Sequence, residues 1–196
     1  MGAHTLELER TEADGMKRIL YDVVDRLAEE GSPFSGFIYL GFMMTDQGPM
    51  VLECNCRLGG PETQVILPSI DGDFTALCMA AGRGQLSNTR SPDHTKHTLC
   101  VTLTSEAYPD LSERNDVIFG IEAAENSDVL VFPAGVAATA GGQLSTGGNG
   151  RILNVVGVAG TLKKARSLAY GGVGLIEFPG KKYRSDIGAP IIESTS

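Results

Sequence analysis

Between Thr11 and Glu30 the apolar residues fall at helical spacing. Met16, Ile19, Leu20, Val23, Val24 and Leu27 follow an i, i+3, i+4, i+7 rule, while Lys17, Arg18, Asp22, Asp25, Arg26 and Glu29 take the other face. The pattern predicts an amphipathic helix over 11–30 that covers one face of a sheet, with Thr11 as N-cap and Gly31 and Pro33 ending it. Phe34 to Thr45 is apolar at both parities, as a strand buried on both faces should be. Asp46 to Pro49 is a turn, and the apolar Met50-Val51-Leu52 that follows completes a hairpin. Two helices are predicted next, over Thr63–Leu67 and Asp73–Gly82, separated by Pro68 to Gly72. Asp73 caps the second, and Phe74, Leu77, Cys78 and Ala81 are its buried stripe. Gly82 to Lys96 is polar and reads as a linker. Beyond it the period changes. His97–Ser105, Val129–Phe132, Gly135–Ala140, Arg151–Ala159 and Ile176–Phe178 read as strands, and Thr161 caps a helix carrying Leu162, Ala165, Leu168 and Ala169. Strands with one flanking helix predict an α+β lobe built on an antiparallel sheet. Residues 1–10 show no period.

The chemistry concentrates in Met50 to Gln64 (MVLECNCRLGGPETQ). On a strand, Glu53, Asn55 and Arg57 share one face, and Leu52, Cys54 and Cys56 share the other and bury. A carboxylate and an amide oxygen two residues apart are hard oxygen ligands suited to magnesium, which keeps waters and phosphate oxygens in its shell. Arg57 offers a planar fork for a carboxylate or phosphate. The turn at Gly59-Gly60-Pro61 lets backbone N–H groups approach a ligand, and Glu62 and Gln64 open a short helix. A row of charges on one strand face is costly without something charged over it.

Composition narrows the classes. Net charge is −8, which argues against a nucleic-acid surface or an anionic membrane surface. No apolar run reaches the roughly 18 residues of a membrane span, and the first residues lack a signal-peptide core. Cys54, Cys56, Cys78 and Cys100 form no Cys-x-x-Cys pair. Cys54 and Cys56 lie too close and too parallel to bridge, so buried free thiols in a reducing compartment are expected. His94 and His97 sit in a polar loop without a cysteine beside them, and no metal role is expected there. Gly147 to Gly150 is either a phosphate cradle or a hairpin turn, and Arg151 and Arg184 are either anion contacts or surface charges.

The run LECNCRLGGPETQVILP resembles the magnesium-binding strand and following loop of the phosphoribosylamine–glycine ligase family of ATP-grasp enzymes, where the pattern is Glu-Phe-Asn-Cys-Arg-Phe-Gly-Asp-Pro-Glu-Thr-Gln. The match holds at Glu53, Asn55, Cys56, Arg57, Gly59 and Pro61 to Gln64, and departs at Cys54, Leu58 and Gly60, where the family has Asp. Further on, Phe132-Pro133-Ala134-Gly135, Thr146 to Arg151, Ala165 to Tyr170 and Tyr183 to Gly188 resemble the family's C-terminal domain. Met1-Gly2-Ala3 resembles the end of its Gly-Gly-Met-Gly-Ala loop. Departures cluster at Ser105–Asn115 and after Gly188.

The resemblance implies an α+β fold: the C-terminal part of an ATP-grasp domain over 1–90, then a small α+β C-terminal domain over 91–196. It implies ATP-dependent joining of glycine to 5-phosphoribosylamine in purine synthesis, in the cytoplasm. In that reading Glu53 and Asn55 hold Mg2+ (or Mn2+), Gly59, Gly60 and Pro61 bind the cofactor, and Arg57 and Glu62 are catalytic. No Asp or Glu lies between Ser35 and Thr45 to add a second metal carboxylate. No Gly-rich nucleotide loop or lysine-bearing strand precedes the metal strand, so a C-terminal fragment, inactive alone, is expected, with the missing N-terminal part of the same enzyme as a partner. The alternative is a non-catalytic, partner-binding module.

Overall fold

The computed structural model describes residues 1–110, 115–147 and 150–189. In chain order the elements are β1 (Gly2–His4), α1 (Arg10–Glu29), β2 (Tyr39–Thr45), β3 (Gly48–Asn55), α2 (Glu62–Ser69), β4 (Ile70–Asp71), α3 (Phe74–Gly82), β5 (Asp93–His94), β6 (His97–Thr104), α4 (Ile121–Glu125), β7 (Val129–Pro133), β8 (Val136–Ala138), β9 (Leu144–Thr146), β10 (Arg151–Ala159) and α5 (Leu162–Leu175). The fold is α+β with antiparallel sheets. Contacts group the residues into two compact units. One holds Met1–Thr5, Gly60–Ile70 and the chain from His94 on; the other holds Leu6–Gly59 and Asp71–Asp93.

The first unit is a four-stranded antiparallel sheet in the order β1-β6-β10-β7. Period-two alternation sorts its side chains onto two faces. Leu99, Val101 and Leu103 of β6 and Leu153 and Val155 of β10 pack with Ala165, Ala169 and Val173 of α5 in the main core. Cys100 and Val156 form a smaller cluster with Val65 of α2, flanked by Ile66, Ala3, Phe132 and Val158. The helix lies close on the sheet because Gly157 has no side chain. A Cβ there would fall 2.0 Å from the Ala165 carbonyl oxygen and 2.8 Å from the Ala169 nitrogen. Thr161 caps α5 as expected, its hydroxyl accepting from the Lys164 N–H at 3.2 Å. The segment after α5 is tied back to it. Arg166 stacks 4.6 Å over the Tyr170 ring and donates to the Ile187 carbonyl, and the Tyr170 hydroxyl donates to the Arg184 carbonyl.

Strands β6, β7 and β10 and helix α5 lie where the pattern places them. Elements β1, β9 and α4 have no counterpart in it. They are three to five residues long, too short for a period to show, and β1 is fixed by backbone pairing to β6. Ile176–Phe178, expected as a strand, makes only an isolated bridge between Glu177 and Phe119. Pro68, expected to separate two helices, lies inside α2 near its end.

The second unit joins α1, the β2–β3 hairpin and α3. Helix α1 matches its expected span, but its N-cap is Glu9 without a side-chain cap, so Thr11 falls within the first turn rather than before it. Gly31, at φ +79°, ends it. The turn of the hairpin is two residues, Asp46 and Gln47, with Thr45 opposite Gly48. Strand β2 begins only at Tyr39 and is half-buried to exposed, not buried on both faces as expected, because its sheet has just two strands among the described residues. The stripe of α3 is oriented as predicted but only half-buried, and Asp73 caps the helix, its Oδ1 accepting from the Ala76 N–H at 2.9 Å. Phe37 stacks on Phe74 with ring centroids 5.8 Å apart. Among the described residues no helix is long and apolar enough to cross a membrane.

Candidate functional site

Strand β3 carries the first candidate residues. Asn55 stands opposite Tyr39 and Glu53 opposite Gly41, so the carboxylate and the amide share one face of the hairpin with Tyr39. Gly41 makes room for the carboxylate: a Cβ at that position would lie 3.0 Å from Glu53 Cγ and 3.7 Å from its Oε1. One residue on, the register breaks. Phe42 pairs with Val51, and Leu52 is the extra residue of a β-bulge. A bulge locally increases twist and re-aims side chains, and here it sits beside Glu53.

The row expected on one strand face stops at Asn55. The strand ends there, and Arg57 lies in the bend that follows, its Nη1 donating to the Leu58 carbonyl at 2.9 Å. The opposite face also differs from expectation: Leu52 is 64% exposed, and Cys54 and Cys56 are exposed rather than buried. All four cysteines are free, but only Cys100 is buried, and burial pushes its thiol up to about 12.

Gly59, buried, closes this part of the second unit, while Gly60, Pro61 and Glu62 belong to the first unit. There the Gly60–Pro61 peptide is cis, Pro61 is buried, and Glu62 is half-buried in the first turn of α2. Open space surrounds the position of a Cβ on Gly60, so this backbone has room for the Asp that the resembled pattern carries.

A metal must be tested against the donors present. Among the described residues no group of three or more His, Cys, Asp and Glu side chains is placed to hold an ion. Glu53 and Asn55 supply two oxygen donors on one face, and neither side chain is engaged in a hydrogen bond or ion pair among the described residues. Two protein oxygens fit magnesium, which is commonly held by one or two protein ligands together with substrate phosphates.

Other expectations resolve as follows. His94 Nδ1 is 2.9 Å from the Ser69 hydroxyl. Arg184 is engaged with Asp186, its Nε donating to Oδ1 at 2.8 Å, and this bond holds the Asp186 carboxyl below its usual range. Arg151 donates to the Gly60 carbonyl and lines a cleft. Gly148 and Asn149, at the centre of the proposed cradle or turn, lie outside the described residues. The cleft itself, with Gln64 and Asn154, was not foreseen. Its residues come from α2, the β7–β8 turn and β10, which only pairing and packing bring together.

Residues 1–63 match the family model "Phosphoribosylglycinamide synthetase, ATP-grasp (A) domain", and residues 98–190 match "Phosphoribosylglycinamide synthetase, C domain". The phosphoribosylamine–glycine ligase of Caulobacter vibrioides is 38% identical over 173 residues, covering 88% of this chain and 40% of that protein. That of Mesorhizobium japonicum is 36% identical over 181 residues, covering 92% of this chain and 41% of that protein. A crystal structure of phosphoribosylamine–glycine ligase from Thermotoga maritima superposes with a TM-score of 0.83 at 33% identity, covering 96% of this chain and 46% of that one. The chain thus spans about 40% of the length of the curated relatives it matches. With two models of one family matched in chain order and this structural agreement, the chain belongs to the phosphoribosylamine–glycine ligase family.

Proposed function

We propose that the chain is the C-terminal part of an ATP-dependent ligase that joins glycine to 5-phosphoribosylamine, giving glycinamide ribonucleotide in purine synthesis in the cytoplasm. In this reading residues 1–90 are ATP-grasp domain and 91–196 the C-terminal domain, a division supported by the spans of the two family models. The observation that carries the reading is β3. It presents a carboxylate and an amide, both unpaired among the described residues, together on one face, within the segment that matches the ATP-grasp domain.

Glu53 and Asn55 would hold Mg2+ (or Mn2+), which neutralises phosphate charge as the γ-phosphoryl group of ATP moves to the glycine carboxylate. The amine of phosphoribosylamine then attacks the acyl phosphate, and phosphate leaves. Arg57 would clamp an acyl or phosphate oxygen through its planar fork, and Glu62 would orient the amine or the glycine. Gly59, Gly60 and Pro61 form the backbone segment proposed to approach the nucleotide. The substrates are small molecules, and the missing N-terminal part of the ligase is the proposed partner.

Isothermal titration of this chain with Mg·ATP, repeated with Glu53→Ala, tests the reading. Heat that disappears in the variant supports a preformed metal strand. Heat that is unchanged in the variant removes Glu53 from the metal. The chain alone is expected to release no ADP in the presence of ATP, glycine and phosphoribosylamine.

A second reading, a non-catalytic module that binds a partner, is favoured by one feature of the second unit. Met43, Met44, Met50, Val51 and Leu52 of the hairpin are all at least 40% exposed.

A further inference from the structure

The backbone does not ask for glycine at position 41. Gly41 is not among the glycines with positive φ, and it lies inside β2, where glycine weakens a strand. What it provides is space. A Cβ there would lie 3.0 Å from Glu53 Cγ, 3.7 Å from Glu53 Oε1 and 3.7 Å from the Tyr39 hydroxyl oxygen. Glu53 and Tyr39 therefore converge from two strands on the space over one bare Cα. Pairing puts them there. Glu53 stands opposite Gly41, and Tyr39, two residues before Gly41 on the same face, stands opposite Asn55. All four residues belong to the second unit. A carboxylate has more lone pairs than a metal takes, and in metal sites the remainder accept hydrogen bonds that fix its orientation. The Tyr39 phenol is a donor that shares this space with the Glu53 carboxylate.

We propose that Gly41 and Tyr39 are positioning residues for the metal on Glu53. Gly41 leaves the carboxylate room to lie over β2, and the Tyr39 hydroxyl donates to the Glu53 oxygen that the metal does not take. Both act through Glu53, and neither is a ligand. The inference deepens the ligase reading and rests on it for a metal at Glu53. A purely structural role predicts something different. The atoms that a methyl on residue 41 crowds belong to flexible side chains, not to backbone, so Gly41→Ala displaces Glu53 and leaves the hairpin intact. Alanine also has less freedom to lose on folding, so this variant should not lower the thermal midpoint.

Binding of Mn2+ to the 196-residue chain, read from the paramagnetic resonance signal of the free ion and so without turnover, is the test. Tyr39→Phe keeps the ring and loses only the hydroxyl. It should weaken Mn2+ about tenfold, the scale for losing a hydrogen bond that orients a metal ligand. Gly41→Ala should weaken Mn2+ by a similar factor at an unchanged or higher thermal midpoint. In a Glu53→Ala background neither substitution should change the affinity further, because both work through that carboxylate. Parent affinity in either single variant overturns the inference, and so do losses that add to that of Glu53→Ala. If Glu53→Ala itself still weakens Mn2+, those results leave the ligase reading standing. Mn2+ binding that is indifferent to Glu53→Ala removes the metal from Glu53 and the inference with it.

Discussion

Replacing Gly157 with alanine attacks the point where the first unit is most tightly packed. The added methyl would sit 2.0 Å from the Ala165 carbonyl oxygen, 3.0 Å from its carbonyl carbon and 2.8 Å from the Ala169 nitrogen. Ordinary contact begins near 3.4 Å, so α5 must retreat from β10 by more than an ångström. All three obstructing atoms are backbone, and no rotamer change relieves them. Retreat loosens Ala165, Ala169 and Val173 against Leu99, Val101 and Val155, all fully buried. Overpacking a core costs about 1–3 kcal/mol, and a rigid backbone obstacle puts this case at or above about 3 kcal/mol. Gly171→Ala is the internal control. It lies on the exposed side of the same helix with nothing within 4 Å of the new methyl. That change should stabilise by about 0.5–1 kcal/mol through helix propensity alone. Urea unfolding followed by circular dichroism reads both. With a slope of about 1–3 kcal/mol/M, a 3 kcal/mol loss lowers the midpoint by about 1–3 M. A Gly157→Ala midpoint within experimental error of the parent would refute the packing argument.

Four further outcomes are expected. Cys100 carries a thiol raised from 9.0 to about 12, chiefly by burial. Its neutral form is favoured by folding, so its contribution is complete below pH 9 and falls as pH rises from there toward 12. The parent should lose up to about 1.4 kcal/mol per pH unit more than Cys100→Ala across that window, measured by denaturation at stepped pH. A disulfide reagent at pH 8 should titrate the exposed Cys54 and Cys56 first and reach Cys100 only on unfolding. Thr161→Ala removes the hydroxyl that accepts from the Lys164 N–H and should cost about 1 kcal/mol, with Thr161→Asp close to neutral in the same denaturation assay. In a complete ligase carrying this segment, Arg57→Ala should lower turnover about 100- to 1,000-fold with the fold intact. Arg57→Lys should fail to restore it, since a point charge does not replace a fork; near-normal turnover in steady-state kinetics would remove Arg57 from the chemistry.

Long periodic segments were legible without coordinates. The i, i+3, i+4 stripe from Met16 to Leu27 fixes α1 within a residue of its ends, because a 20-residue amphipathic helix repeats its signal over five turns. Alternation marks β6 and a long apolar run marks β10, and Thr161 and Asp73 mark their helices because a cap is a contact local in sequence. The Glu53–Asn55 pair on one strand face was equally readable, since alternation depends only on neighbours. Its continuation to Arg57 was not, because where a strand stops is set by its pairing partner, and β2 begins at Tyr39 opposite Asn55.

Tertiary structure decided whatever depends on distant residues. The bulge at Leu52 reflects a mismatch between two strands, which neither strand shows alone. Burial also comes from what lies across the sheet. Cys54 and Cys100 look alike as cysteines in apolar strands, yet Cys54 faces solvent and Cys100 lies under Val65 of α2. The need for glycine at 157 appears only once α5 folds back onto β10. The cleft of Gln64, Arg151 and Asn154 joins residues about 90 positions apart in sequence, and the unpaired Gln64 acceptor becomes visible only once the packing around it is fixed.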